Sequence, residues 1–179
     1  LANKYGIPIP ERQKTAVEIA REQKTKQVIE TNELAARFYQ ACLTKTPYGK
    51  AALTYLHNRG ISDEIISSFS IGYALNSFDS LMNALGKRGY SQELLMQAGL
   101  AVPGKNSGAY DKFRNRVMIP IKDPRGRIVG FTGRILGDGM PKYMNTGETE
   151  FFIKRYLLFG LDIAVNEIRK TRQAIVVEG

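Results

Sequence analysis

The chain has 179 residues, with 26 Lys and Arg against 17 Asp and Glu, a formal charge of +9. At 43% hydrophobic and 24% charged it is globular in composition, which excludes a disordered chain. No apolar run approaches the roughly 18 residues that span a bilayer, and a single cysteine (Cys42) and a single histidine (His57) exclude internal disulfides, Cys- or His-cluster metal sites and Ser-His or Cys-His triads.

In chain order, residues 1–27 read as a linker followed by a polar helix. Gly6, Pro8 and Pro10 break structure early, and Glu11 to Lys26 has few apolar anchors. There is no secretory h-region and no initiator Met, so a segment of a longer, reduced, cytoplasmic protein is expected. From Val28 to about Leu100 the periodicity is helical. Leu34, Phe38, Ala41 and Cys42 recur at three- and four-residue spacing, with Cys42 expected in the core. Thr46-Pro47 opens a second helix whose inner face is Ala51, Ala52, Tyr55 and Leu56, stopped at Gly60, with His57 near its end at the surface. Ser62 caps a third helix, with Asp63 and Glu64 in its first turn and Ile65, Ile66 and Phe69 inward. Ser77 and Ser91 start two more, stopped near Gly89 and Gly99.

After Val102 the character changes. Gly104 to Gly108 is a polar loop. Arg116 to Lys122 alternates, with Val117, Ile119 and Ile121 on one face and Arg116, Met118 and Pro120 on the other. Asp123-Pro124-Arg125-Gly126 is a turn, and Arg127 to Leu136 is the return strand of a β-hairpin. Residues 137–156 show little periodicity. Asp162 to Thr171 is a helix anchored by Ile163 and Ile168. Ala174 to Val177 reads as a strand of the kind buried in a parallel sheet. The fold class is therefore α+β, a helical array packed with a small mixed sheet and hairpin.

Two constellations carry candidate chemistry. Lys112, Arg114 and Arg116 share one parity, Arg134 lies on the partner strand beside Gly130 and Gly133, and Lys142, Tyr143, Asn145, Lys154 and Arg155 follow. Cations interleaved with a ring suit single-stranded nucleic acid, whose phosphates pair with Lys and Arg and whose bases stack. The alternative is a hairpin made soluble by its charges. Glu178 stands at the carboxyl end of a strand, where α/β sheets place metal ligands and proton carriers. By pattern alone, the favoured reading is an ordinary exposed Glu after a strand. No Walker loop occurs, and Gly104-Lys105-Asn106-Ser107-Gly108 is only superficially like one.

Longer stretches carry a family resemblance. Tyr110 to Ile121, Arg125 to Arg134, Pro141 to Asn145 and Glu148-Thr149 resemble signatures of bacterial DnaG-type DNA primase, as do Tyr55 to Ile61 and Phe69 to Ala74. Val176-Val177-Glu178-Gly179 looks like the first strand of a Toprim domain with its acidic residue. The resemblance implies a DNA-directed RNA polymerase that lays RNA primers from ribonucleoside triphosphates on a single-stranded DNA template during replication. On that reading residues 28–173 are the basic N-terminal subdomain of the catalytic core, 1–27 follow a zinc-binding domain, and 174–179 enter the Toprim domain. Zn²⁺ belongs to the domain ahead and Mg²⁺ or Mn²⁺ to the complete Toprim site. The replicative helicase is met through a separate C-terminal domain, and no membrane is involved. By position, Arg59, Lys112, Arg114, Arg134, Lys142 and Lys154 match the family's groove cations and Glu178 its catalytic glutamate. Lys112 is Arg in many relatives, which keeps the charge and loses the bidentate fork. Thr146-Gly147 replaces the usual Ser-Pro, implying a looser loop, and Ile153 stands where a His is common. The rivals are another Toprim enzyme (a topoisomerase or nuclease) and a non-catalytic nucleic-acid-binding module. An Asp-x-Asp downstream would favour the polymerase.

Overall fold

In the computed structural model of the chain, residues 14–105 and 108–177 are described. Helix α1 (Ala16–Thr44) starts at a capping box: the Thr15 hydroxyl accepts from Glu18 N–H while the Glu18 carboxylate accepts from Thr15 N–H. The polar helix and the apolar one expected after it are a single rod, and the expected boundary at 27/28 falls inside it. Its buried stripe is Val28, Thr31, Asn32, Ala35, Ala36, Tyr39, Cys42 and Leu43. Leu34, Phe38 and Ala41 lie at the edges, so the stripe is turned toward two small alanines that let a strand approach. Burial pushes the Cys42 thiol up to about 11.

Helices α2 (Lys50–Asn58), α3 (Asp63–Ser68), α4 (Ser80–Gly86) and α5 (Gln92–Gln97) follow. A short 3-10 turn, Pro47–Gly49, precedes α2. Ser62 and Ser91 cap α3 and α5 as expected. Asp79 rather than Ser77 precedes α4. Ala51 and Ile65 face solvent, leaving Ala52, Leu56 and Ile66 as the inner residues.

The helical half also contains a strand. A four-stranded antiparallel sheet has the order β1–β4–β5–β6, from Gly72–Ala74, Arg116–Lys122, Ile128–Ile135 and Tyr143–Asn145. A ribbon of β2 (Ala101–Pro103) and β3 (Ala109–Asp111) flanks it. Every described pairing is antiparallel, which corrects the expected mixed sheet. Met118 and Phe131 face a core with Ala35, Tyr39, Leu81, Leu100 and Phe113. Val117 and Tyr73 face a second, with Leu43, Ala52, Leu56 and Ile66. Apolar packing on both faces hides the simple alternation of a half-solvated strand.

Helix α6 (Leu161–Thr171) has no buried residue, and Ile163 is 50% exposed. It is tied on by Phe159 stacking on Phe69 at 6.0 Å and by Lys122 Nζ at 3.7 Å from Asp162. Residues 174–177 form no strand. Ile175 is 93% exposed, and no described strand lies beside it to supply ladder bonds.

The β4–β5 turn is closed by Asp123. Its carboxylate accepts from the N–H groups of Arg125 (2.9 Å) and Arg127 (3.0 Å) and pairs with the Arg127 guanidinium at 2.6 Å. Burial raises its pKa, but the bonds from Arg127 and the backbone outweigh burial and hold it below the ordinary 3.8. A depressed carboxyl contributes stability above its unfolded pKa and loses it as pH falls through the folded value. Asp123→Asn should therefore melt lower than wild type at pH 6, by about 1–3 kcal/mol for the lost bonds. That gap should close as pH drops below the ordinary value. Melting curves from pH 6 to pH 2 decide it: a gap unchanged at pH 2 would mean that the carboxylate charge is not what matters.

Candidate nucleic-acid interface

Pairing Arg134 with Tyr143 and Thr132 with Asn145 places these four side chains in two rows on the Val117 face. Helices α2 and α3 cover only part of that face. At the margin Tyr55 of α2 meets the sheet, and the Arg134 guanidinium lies 5.1 Å from its ring and 5.5 Å from that of Tyr143. Arg134 Nη1 also donates to the Tyr143 hydroxyl at 3.2 Å. Arg59, four residues beyond Tyr55, lies over the same ring at 5.5 Å. The result is a ladder of two cations and two rings, with Lys142 and Asn145 exposed beside it.

A second stack is built on Arg114, which lies 4.6 Å from the Phe78 ring and 5.1 Å from Tyr110. Its Nη1 donates to the Asp111 carbonyl. Asp111 is buried and braces this corner. Its carboxylate accepts from the N–H groups of Leu81 (2.8 Å) and Met82 (3.0 Å) at the start of α4, and its own N–H donates to the Phe78 carbonyl. Desolvation raises the Asp111 pKa against those bonds. Lys112 is half-buried, and desolvation pulls its pKa down. Its Nζ lies 3.6 Å from where a Cβ on Gly147 would stand, so it faces the loop leaving β6.

The shared parity of residues 112, 114 and 116 does not survive. Asn115 has φ 50°, which breaks the extended run before β4. It is held there by the Tyr73 hydroxyl donating to its Oδ1 (2.8 Å) and by its Nδ2 donating to the Leu136 carbonyl (3.2 Å). Arg116 therefore turns inward and is 4% exposed. Its guanidinium donates to the carbonyls of Gly133 (3.0 Å), Pro141 (3.0 Å) and Lys142 (3.3 Å), which leaves it unavailable to a phosphate. Lys154 is exposed at a short 3-10 turn, Lys154–Tyr156, and no described ring or ion-pair contact joins it to either stack. The loop expected to be looser is anchored: Thr146 is buried, and its hydroxyl accepts from Phe131 N–H at 2.9 Å. Glu178 lies outside the described residues.

Among the described residues, the ion pairs engage none of Arg59, Lys112, Arg114, Arg134, Lys142 or Lys154, while Lys24, Lys122, Arg127 and Lys170 each have a carboxylate. The predicted cations thus carry unneutralised charge, three of them arginines against rings that keep the guanidinium planes in place. Sequence reading missed Tyr55, Phe78 and Tyr110 as parts of these stacks. Tyr55 had a usable signal, since i and i+4 share a helix face with Arg59. Phe78 had none, because only the fold brings it to Arg114.

A family model described as DNA primase catalytic core, N-terminal domain, matches residues 38–165. The DNA primase of Staphylococcus aureus strain MSSA476 is 46% identical over 154 residues, which cover 86% of this chain and 26% of that protein. The chain thus spans about a quarter of the length of such curated relatives. Among solved structures, a DnaG primase catalytic domain bound to ssDNA superposes with a TM-score of 0.76 at 37% identity, covering 82% of this chain and 47% of that one. The RNA polymerase domain of Mycobacterium tuberculosis primase DnaG, in complex with a double-stranded DNA oligomer with a 6-nucleotide overhang, gives a TM-score of 0.81 at 34% identity, covering 86% and 48%.

Proposed function

This chain belongs to the family of the N-terminal domain of the DNA primase catalytic core, and from that premise we propose that it forms the face of a primase that holds the single-stranded template and the incoming ribonucleotides. The observation that carries this reading is the pair of arginine-on-ring stacks, Arg134 with Tyr55 and Tyr143 and Arg114 with Phe78 and Tyr110, none of whose cations is neutralised by a described carboxylate. Guanidinium forks pair with phosphate oxygens, and the exposed Tyr143 ring offers a base a flat surface. Arg59, Lys112, Lys142, Asn145 and Lys154 extend that surface. Family membership and this face weigh against a topoisomerase or nuclease.

Among the described residues no group of three His, Cys, Asp or Glu side chains gathers where it could hold a metal ion. What the chain supplies is binding and orientation, with helix α1 to helix α6 as the basic subdomain and 174–179 as the entry to a Toprim domain that carries Glu178. No described helix is long and apolar enough to cross a membrane.

Six cations, Arg59, Lys112, Arg114, Arg134, Lys142 and Lys154, should give single-stranded DNA binding whose log K falls with log salt at a slope of about −4, at about −0.7 per contact. Fluorescence titrations of a labelled oligonucleotide at several salt concentrations measure this. Arg134→Ala and Lys142→Ala should each flatten the slope by about 0.7. A slope near zero would reduce the face to a solvated surface.

A further inference from the structure

The fold turns Arg116 away from solvent, yet holds it against the segment that carries two of the proposed contacts. We propose that Arg116 is a positioning residue that fixes Lys142 and Tyr143 on the binding face without touching the nucleic acid itself. This rests on the proposed function of that face.

Residues 137–142 connect β5 to the short edge strand β6 and are exposed throughout. The described hydrogen bonds that reach this connection from elsewhere are Ile135 N–H to the Lys142 carbonyl (2.9 Å) and those of Arg116 to the Pro141 and Lys142 carbonyls. The Lys142 carbonyl thus accepts twice, from the strand and from the guanidinium, which sets where its Cα sits. Tyr143 follows directly and lies opposite Arg134 in the ladder. One planar guanidinium reaches three carbonyls on two chain segments, an arrangement that a lysine ammonium does not reproduce.

The pocket is shaped for this side chain. A Cβ on Gly133 would stand 3.0 Å from Arg116 Cδ, so the strand omits it. No described carboxylate pairs with Arg116, and a buried cation is tolerated only where its donors are satisfied. The three carbonyls accept from three of its five N–H donors. Burial and the neighbouring Arg114 pull its pKa down. Tyr143, next along the chain from the clamped carbonyl, faces the opposite way from Arg116, onto the Val117 side of the sheet.

The test compares Arg116→Lys, Lys142→Ala and the double variant in the whole chain, using labelled oligo-dT. At 0.1 M salt one lost phosphate contact amounts to about a fivefold loss of affinity. Each single variant should lose about that factor, and the double variant should fall well short of the roughly 25-fold product, because both changes remove the same contact. Without DNA, trypsin should cut after Lys142 faster in Arg116→Lys than in wild type. A multiplicative double variant, or wild-type affinity and cleavage in Arg116→Lys, overturns the proposal while leaving the binding face standing. Wild-type affinity in Lys142→Ala sinks Lys142 as a contact, and the proposal with it. Should Arg116→Lys fail to fold by circular dichroism, Arg116→Gln, whose amide keeps two donors without a buried charge, takes its place, and the same outcomes apply.

Discussion

Gly72→Ala should destabilise the domain by about 3 kcal/mol, the upper end of overpacking costs and a large share of the roughly 5–15 kcal/mol that holds a typical domain folded. Gly72 opens β1, which lies against α1 where the helix presents Tyr39. A methyl group there would sit 2.5 Å from the Tyr39 carbonyl carbon, 2.6 Å from its Cβ and 2.7 Å from the Gln40 nitrogen. Two of those atoms are helix backbone, so no side chain can swing aside. Relief requires α1 to move off the sheet, and α1 carries Ala35, Ala36 and Tyr39 of the main core. Gly86, at the end of α4, is the control. A Cβ there meets nothing within 4 Å and its φ is not left-handed, so Gly86→Ala should be neutral or stabilise by up to about 1 kcal/mol. Urea melts followed by circular dichroism compare the two. A loss below about 1 kcal/mol for Gly72→Ala would show that α1 shifts without cost.

That close approach is the kind of feature sequence reading does not reach. The capped starts at Ser62 and Ser91, the stop at Gly60 and the hairpin from Arg116 to Ile135 are written locally, in caps, turns and alternation, and the structure has them where expected. Strand β1 is three residues long and buried throughout, too short to alternate and without local signal. Its existence depends on β4, more than forty residues later. The site divides the same way. Arg134 and Tyr143 are legible as candidates from the residue pattern, Arg134 also from the resemblance, and the fold sets them side by side. Arg116 was misplaced because parity holds only along an unbroken strand, and Asn115 breaks this one. The partner of Arg114 is a loop residue, Phe78, that Asp111 holds in place through the start of α4.

Glu178→Gln in the complete primase should abolish primer synthesis and leave single-stranded DNA binding near the wild-type level. The two functions separate because they rest on different charges. On the proposed reading, binding depends on the unpaired cations of the β5–β6 face and the Arg114 corner, which the substitution does not touch. Synthesis is read as depending on Glu178, by its resemblance to the Toprim glutamate. A carboxylate in that role either holds a divalent cation or takes a proton, and both need the negative charge that glutamine lacks at nearly the same size. Loss of a placed acid-base group alone costs about 10²–10⁴-fold in rate. The measurement is incorporation of labelled ribonucleotides on a single-stranded template, beside a titration of the same template under the same salt. Near wild-type synthesis by Glu178→Gln would remove Glu178 from the chemistry. Loss of binding together with synthesis would assign it a structural role instead. The 179-residue chain alone, which spans about a quarter of the length of its curated relatives, should bind the template yet make no primer, even with excess Mg²⁺ or Mn²⁺. Primer made by that chain would overturn the division of labour between a cationic face that holds the strand and an acidic site that joins nucleotides.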